Sequence, residues 1–231
     1  MKQVFLLLFP FLLLAQTYTF SYANENVAMA IASKILIKAY ERANISIQVI
    51  SFSSEISLKA SNSGQVDGEV ARIADISKLY PNLVQVPVSL VDVEAVAFSK
   101  TPNLYISKWD DLKKYDFTII KGTKFIEKST QAYDKDYVST FIQAFDALKD
   151  DKTDLIVVPK KAAIRLCLRA QYKDIKRISP VLKKLKLYHF VHAKNTHLIA
   201  KILPILEQMK KSGEINYIEK SYLRSLTKCN N

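Results

Sequence analysis

Glycine is scarce in this sequence, with four glycines among 231 residues. Loops that hold phosphate groups by successive backbone N–H groups depend on glycine, and neither the P-loop spacing nor the dinucleotide-binding glycine pattern occurs. The Gly-x-Ser-x-Gly and His-Glu-x-x-His motifs of hydrolases are missing as well. We therefore expect a protein that is not an enzyme and that uses no cofactor.

Cysteine is rarer still. Its two copies, Cys167 and Cys229, can form one disulfide if the chain is exported to an oxidising compartment. Their spacing does not show that they meet, and Cys229, near the C-terminus, could equally be a free thiol.

A zinc site needs more ligands than these two cysteines. His189 and His192 would point to opposite faces of a strand, because side chains alternate along it, so we predict no bound metal.

Long apolar runs are absent beyond the first segment. After Met1 and Lys2, residues 4–14 are almost unbroken Val, Phe, Leu and Pro. A basic start, a short apolar core, and small residues at Ser21 and Ala23 predict a secretory signal over residues 1–23, cleaved after Ala23. The run is too short for a comfortable membrane anchor. No cysteine lies near the cleavage site, so no lipid anchor is expected.

Acidic residues are fewer than basic ones. The chain has 34 Lys and Arg against 22 Asp and Glu, a formal net charge of +12. Such a surface favours anionic partners, although a generally basic proteome explains the charge equally well. No motif combining aromatic and basic residues is present, and we expect no nucleic-acid partner. With 49% hydrophobic residues, the chain can bury a core and is not disordered.

Helical and extended patterns alternate along the chain, which predicts an α/β fold with mainly parallel sheets. Residues 26–43 have helical spacing, and residues 45–50 alternate like a half-buried strand. Ser53 and Ser54 can cap a short helix that reaches Asn62 and ends at Gly64, and residues 154–158 are typical of a strand buried on both faces. The pattern restarts after residues 101–103. Two extended segments flank the middle block, which predicts one lobe of residues 24–98 and 191–231 and a second of residues 99–190, hinged at two crossing strands.

Several short motifs occur in an order that matches a known family. They are Asn62-x-Gly64-x-Val66-Asp67-Gly68-Glu69 with Arg72-Ile73, then Tyr80-Pro81-Asn82-Leu83-Val84, Val86-Pro87, Lys121-Gly122-Thr123, and Leu187-Tyr188-His189 before a long helix that ends in Ser212-Gly213. In this order the chain resembles the family 3 periplasmic solute-binding proteins of bacteria, the receptor domains of uptake transporters.

The resemblance implies a two-lobed type II periplasmic binding fold and a location in the periplasm of a Gram-negative bacterium. It implies a monomer that traps a small polar solute, anionic or amino-acid-like, for an inner-membrane permease of an ABC transporter or for a sensor. Two departures stand out: with cleavage after Ala23 the opening strand of the first lobe is absent or very short, and Ile56 stands where many relatives have Arg. They leave open a degenerate interaction module. An enzyme on the same fold would have Glu69 as its candidate acid.

Seven residues are the candidate ligand-binding set: Phe52, Glu69, Arg72, Lys121, Gly122, Thr123 and Tyr188. Arg72 offers a planar fork to a carboxylate or phosphate, although an ion pair with Glu69 or Asp75 is the alternative. The Lys121-Gly122-Thr123 turn precedes a helix, where backbone N–H groups can hold an anion; ordinary capping by Thr123 is the alternative. The Asp67-Gly68 pair would bring Glu69 to the cleft.

Overall fold

The computed structural model describes residues 16–23, 27–167 and 169–228. Within them the strands are β1 (Thr17–Ala23), β2 (Ser46–Phe52), β3 (Gly68–Ile73), β4 (Leu83–Ser99), β5 (Phe117–Ile120), β6 (Asp136–Val138), β7 (Leu155–Pro159), β8 (Lys176–Arg177) and β9 (Lys183–His192). The α-helices are α1 (Val27–Arg42), α2 (Ser54–Ser63), α3 (Lys124–Ser129), α4 (Phe141–Lys149), α5 (Lys160–Cys167), α6 (His197–Lys211) and α7 (Glu214–Lys228). Short 3-10 helices lie at Ala74–Lys78, Trp109–Lys114, Ala170–Tyr172 and Ala193–Asn195.

The described strands form one sheet in the order β2-β1-β3-β9-β4-β7-β5-β6, with β8 paired to β4. At one end β1, β2 and β3 pair in parallel, and at the other β5, β6 and β7 do the same. The long strands β4 and β9 pair antiparallel between these ends. The predicted fold class is confirmed: two lobes, each with a mainly parallel sheet, joined by two crossing strands. The exact lobe boundaries stay a prediction.

The first lobe has an opening strand, contrary to our expectation. β1 pairs in parallel with β2 over seven residues and with β3 at Phe20 and Ser21. Phe20 has no solvent exposure and Tyr18 has 8%. The residues of β1 alternate between polar and aromatic, which is a strand pattern. We took the small residues Ser21 and Ala23 for a cleavage signal because they follow an apolar run.

The predicted signal segment falls mostly outside the described residues, which begin at Gln16. Cleavage after Ala23 would remove the whole of β1, the strand that lies between β2 and β3. Among the described residues, no helix combines the length and the apolar character needed to cross a membrane.

Helix α2 ends where the sequence predicts. Gly64 takes a left-handed conformation with φ 79°, and its N–H donates to the carbonyl oxygens of Ala60 and Ser61. Glycine adopts this conformation without a steric penalty, which is why it commonly ends helices. Helix α2 packs on the first lobe. Its N-terminus faces the second lobe, where the Ser54 hydroxyl donates to the Gly122 carbonyl.

A candidate ligand site between the two lobes

A small cavity of about 80 Å³ lies between the lobes. Typical sites for drug-sized ligands have roughly 300–1,000 Å³, so the lobes are nearly closed on each other. Both lobes and both crossing strands contribute to its wall, which consists of Ala23, Ala28, Met29, Ser54, Ala71, Arg72, Ile73, Ile76, Val93, Gly122, Thr123, Lys124, Phe125, Phe141, Pro159 and Leu187. Several of these residues end or follow parallel strands, among them Ala23, Ile73 and Pro159 at the ends of β1, β3 and β7, because the carboxyl ends of such strands converge on one crevice.

Arg72 lies in this wall, but its guanidinium is already occupied. Its Nε donates to Glu69 Oε2 at 3.0 Å and its Nη2 to Glu69 Oε1 at 3.3 Å. Its Nη1 donates to Ser54 Oγ and its Nη2 to the Ser54 carbonyl, both at 2.9 Å. The alternative that we considered from sequence, an ion pair with Glu69, is therefore present. A ligand anion would have to compete with a carboxylate of the protein itself.

A bulge in β3 makes the Glu69–Arg72 pair possible. Residues three apart in a regular strand point to opposite faces. The pairing of β3 with β9 shifts register between Glu69 and Arg72, and such a bulge re-aims the side chains that follow it. Both side chains therefore reach the same face, where they form an ion pair in the protein interior.

The Glu69 carboxylate is fully buried. Besides Arg72, it accepts a hydrogen bond from Ser57 Oγ at 2.6 Å and a longer one from Ser61 Oγ at 3.4 Å. Buried ions need such a complete set of partners, because leaving one unpaired is costly. Glu69 is not part of the cavity wall, so this group positions Arg72 and does not face the cavity.

Ser54 carries the connection across the cleft. Its hydroxyl accepts the hydrogen bond from Arg72 and donates to the Gly122 carbonyl of the second lobe at 2.8 Å. Gly122 has φ +85°, and a Cβ atom there would lie 2.7 Å from Ser54 Cβ. Only glycine permits this approach. At the rim, Lys121 Nζ lies 3.5 Å from Glu55 Oε2.

The predicted anion-binding turn is filled by the protein's own groups. The Gly122 N–H donates to Glu127 Oε1 at 2.5 Å, while the N–H groups of Lys121 and Thr123 donate to backbone carbonyls. Glu127 also pairs with Lys124 at 3.0 Å. Thr123 occupies the N-cap position of α3 without a side-chain capping bond. The helix that follows has only six residues.

The structure divides the seven candidate residues into two groups. Arg72, Gly122 and Thr123 line the cavity, whereas the others do not. Glu69 lies behind Arg72, Phe52 is partly buried at the end of β2, and Lys121 is exposed at the rim. Tyr188 packs against the cluster formed by Leu58, Ile76, Leu83 and Phe190.

Ile56 does not replace a cavity residue. Its side chain is 55% exposed and contributes to a shallow depression on the rim with Lys59 and Lys121. Sequence reasoning also missed Ala28, Phe141 and Leu187, which line the cavity. Such apolar residues carry no local signal of a binding site; the strand-end rule could have indicated Ala23, Gly122 and Pro159.

His189 is buried directly behind this site. Its Nδ1 lies 2.8 Å from the Glu69 carbonyl and its Nε2 lies 3.0 Å from the Tyr40 hydroxyl. A carbonyl can only accept, so Nδ1 carries the proton and Nε2 accepts from Tyr40. Burial lowers the pKa of His189 to about 4, so the ring is neutral near pH 7. No group of three or more potential metal ligands occurs among the residues described.

Cys167 lies at the end of α5 and is half-buried, and burial raises the pKa of its thiol. Cys229 lies outside the described residues. The predicted disulfide between them therefore stays a prediction.

Comparison with known proteins supports the fold more strongly than the family. No protein-family profile matches the sequence. An uncharacterized protein of Shewanella oneidensis is 22% identical over 163 residues, a match that covers 67% of this chain and 61% of that protein. The chain thus matches less than two thirds of the length of that relative.

Solved structures are similar over most of the chain. A histidine kinase sensor domain with similarity to periplasmic binding proteins superposes with a TM-score of 0.80 at 14% identity, covering 90% of this chain and 96% of that one. An ancestral arginine-binding protein bound to glutamine gives 0.76 at 16% identity, covering 89% and 97%. A mutant of the arginine-binding protein ArgBP from T. maritima gives 0.76 at 14%, covering 90% and 95%. At these identities the similarity shows a shared fold alone.

Proposed function

We propose that this chain is an exported, two-lobed solute-binding protein that closes around a small solute between its lobes. The observation that carries the proposal is the cavity itself, whose wall comes from both lobes and both crossing strands. A solute in it would contact both lobes only in the closed form and would therefore stabilise that form. An inner-membrane permease or a sensor would then recognise the closed protein, which we expect to be a monomer.

The cavity wall favours a solute without a buried ammonium group. Within the described part of the chain, no acidic side chain belongs to the wall. The charges of Arg72 and Lys124 are matched by Glu69 and Glu127. A zwitterionic amino acid would lose the hydration of its ammonium without gaining an acidic partner, which is unfavourable. Of the two classes expected from sequence, the cavity wall thus disfavours an amino-acid-like solute, and an anionic solute would need a cation outside this wall, because Arg72 and Lys124 are already paired.

A thermal-shift screen tests the binding proposal. The panel contains small carboxylates, their neutral amides and amino acids, and a bound compound should raise the melting temperature. Ala28→Leu fills space in the cavity wall and should abolish every shift, while Ala74→Leu, at an exposed position, should leave the shifts intact. Shifts that survive Ala28→Leu would contradict binding in the cavity.

A degenerate interaction module is the second candidate. The small cavity, the Glu69 partner of Arg72, and the Glu127 carboxylate at Gly122 all favour it. In that case no compound of the panel should shift the melting temperature. Catalysis has less support, because Glu69, the single acid that we considered for it, is buried against Arg72 and outside the cavity wall.

We further propose that the secretory signal is cleaved ahead of Thr17, so that β1 stays in the mature protein. The first lobe would then start at β1 instead of residue 24 and would still comprise residues up to 98 and from 191. The second lobe would comprise residues 99–190. The pairing of β1 with both β2 and β3 supports this boundary, and the exported chain would reside in the periplasm.

A further inference from the structure

A larger groove adjoins the cavity on its outer side. It has a volume of about 570 Å³, within the range of roughly 300–1,000 Å³ for small-molecule sites. We call it the lysine groove; it is lined by Ile73, Ile76, Lys78, Leu79, Lys124, Phe125, Glu127, Lys128, Gln131, Lys135, Tyr137, Lys183 and Leu185. Ile73, Ile76, Lys124 and Phe125 belong to both walls, so the groove lies directly beside the cavity.

The wall of the groove is rich in lysine. Five lysines and one glutamate line it, and Glu127 is already bonded to Lys124 and to the Gly122 N–H. Lys135 Nζ donates to the carbonyl oxygens of Thr130 and Tyr133 at 2.7 and 2.8 Å. Its ammonium therefore has hydrogen-bond partners without a counter-charge.

Lys183 is in the same situation. Its Nζ lies 3.4 Å from Ser129 Oγ, an uncharged acceptor, and both Lys135 and Lys183 are partly buried. A cation that is partly removed from water gains most from an anion, because screening is weaker there than on an open surface. Both lysines line the groove, and their partners Thr130 and Ser129 are neighbours in the chain, so this side of the groove is cationic.

The groove also has apolar walls. Ile73 and Ile76 form its inner side, and Leu79 and Tyr137, which are 65% and 51% exposed, form its outer side. Exposed large apolar side chains beside a cavity are typical of binding surfaces. Apolar walls and a cationic rim together match a ligand that has an apolar body and one anionic group.

We propose that the lysine groove and the cavity form one elongated site for a small carboxylate with an apolar body, such as a medium-chain fatty acid or an aryl-substituted acid. The carboxylate binds between Lys135 and Lys183, and the apolar body extends along Ile76 and Phe125 toward the cavity. This inference rests on the proposed solute-binding function and names its ligand class. The groove takes residues from the first lobe, the second lobe and β9, so the ligand also holds the lobes together.

Titration calorimetry with octanoate and with its neutral amide, octanamide, tests the assignment. We expect the Lys135→Gln, Lys183→Gln double variant to lose about tenfold or more in octanoate affinity and to change octanamide affinity less than about twofold, as expected for loss of a charge pair. The matched control, Lys201→Gln with Lys220→Gln, removes the same charge from exposed helical positions and should bind octanoate normally. Octanoate affinity of the unmodified protein should also fall with added salt.

The outcomes separate this inference from the proposed function. Equal octanoate affinity in the two double variants would overturn the lysine site, as would equal affinity of the unmodified protein for octanoate and octanamide. If other panel compounds still lost binding in Ala28→Leu, the solute-binding proposal would survive that result. Lysine-dependent binding of a hexaglutamate peptide without octanoate binding would overturn the inference in favour of a docking site for acidic peptides. Melting temperatures of each variant confirm that it is folded.

Discussion

The cavity and the lysine groove adjoin each other, yet they use their positive charges differently. In the cavity wall, Arg72 is saturated by Glu69 and Ser54, and the charge holds the protein together. In the groove, the acceptors of Lys135 and Lys183 among the described residues are uncharged, and the charge is available to a ligand. The partner of a cation, more than its residue type, thus indicates whether it acts in structure or in binding.

The largest effect should come from removing β1, which supports the cavity and contributes nothing to the groove wall. A chain that starts at Asn24 loses the strand between β2 and β3 and exposes the partners of Phe20. We expect it not to unfold cooperatively, whereas a chain that starts at Gln16 should. Thermal unfolding by circular dichroism checks this, and mass spectrometry of the exported protein gives the true N-terminus. A stable protein starting at Asn24 would contradict our account of the first lobe.

Breaking the buried Glu69–Arg72 ion pair should have the next largest effect. Arg72→Met leaves the Glu69 carboxylate buried without its counter-ion, and we expect the free energy of unfolding to fall by about 3–5 kcal/mol. Lys59→Met, which breaks the exposed pair with Glu55, should leave it nearly unchanged, because solvent screens exposed ion pairs. Urea denaturation measures both. Similar losses in the two variants would mean that Arg72 does not have the structural role that separates it from the groove lysines.

Low pH should destabilise the folded protein through His189, which lies behind the cavity. The pKa of His189 is lowered to about 4 in the folded protein, against about 6.5 in the unfolded chain. Protonation therefore favours the unfolded state, and stability is full above pH 6.5 and declines as pH falls toward 4. The loss for this group is about 3 kcal/mol at the low end.

Urea denaturation between pH 7 and pH 4 tests this expectation. His189→Gln should flatten the dependence of stability on pH, while His197→Gln serves as the control at a histidine nearer the surface. An unchanged pH dependence in His189→Gln would exclude His189 as the source of the acid sensitivity.

A smaller effect should show whether the Ser54–Gly122 contact holds the lobes closed. Gly122→Ala places a Cβ atom 2.7 Å from Ser54 Cβ and should push the lobes apart, enlarging the radius of gyration in small-angle scattering. Gly213→Ala meets nothing within 4 Å at a similar φ of +79°, so it isolates the backbone strain of about 1 kcal/mol. Equal radii in the two variants would show that the Ser54–Gly122 contact does not hold the cleft closed.

The sequence predicted the order of helices and strands well because amphipathic periodicity and glycine at helix ends are local signals. The helix expected over residues 26–43 is α1 (Val27–Arg42), and Gly64 ends α2 as expected. β1 was missed because its small residues follow an apolar segment, a pattern that predicts a cleavage site. Arg72 lies in the cavity wall, and its role in binding a ligand stays a prediction.

The ion pair between Arg72 and Glu69 was considered from sequence but could not be decided there. The pair requires a bulge in β3, and a bulge arises from strand pairing that no local pattern records. The lysine groove was missed for a related reason: its residues are far apart in the chain, and scattered lysines look like an ordinary solvated surface until the fold brings Lys135 and Lys183 to one wall.

The most direct test of the account is a crystal structure with octanoate that carries a terminal bromine. We predict anomalous density for the bromine near Phe125, at the cavity end of the elongated site, with the carboxylate within hydrogen-bond distance of Lys135 or Lys183. The Glu69–Arg72 pair should remain intact. A carboxylate bound to Arg72 with Glu69 displaced, or bromine density outside both the cavity and the lysine groove, would contradict the division of roles between the two regions.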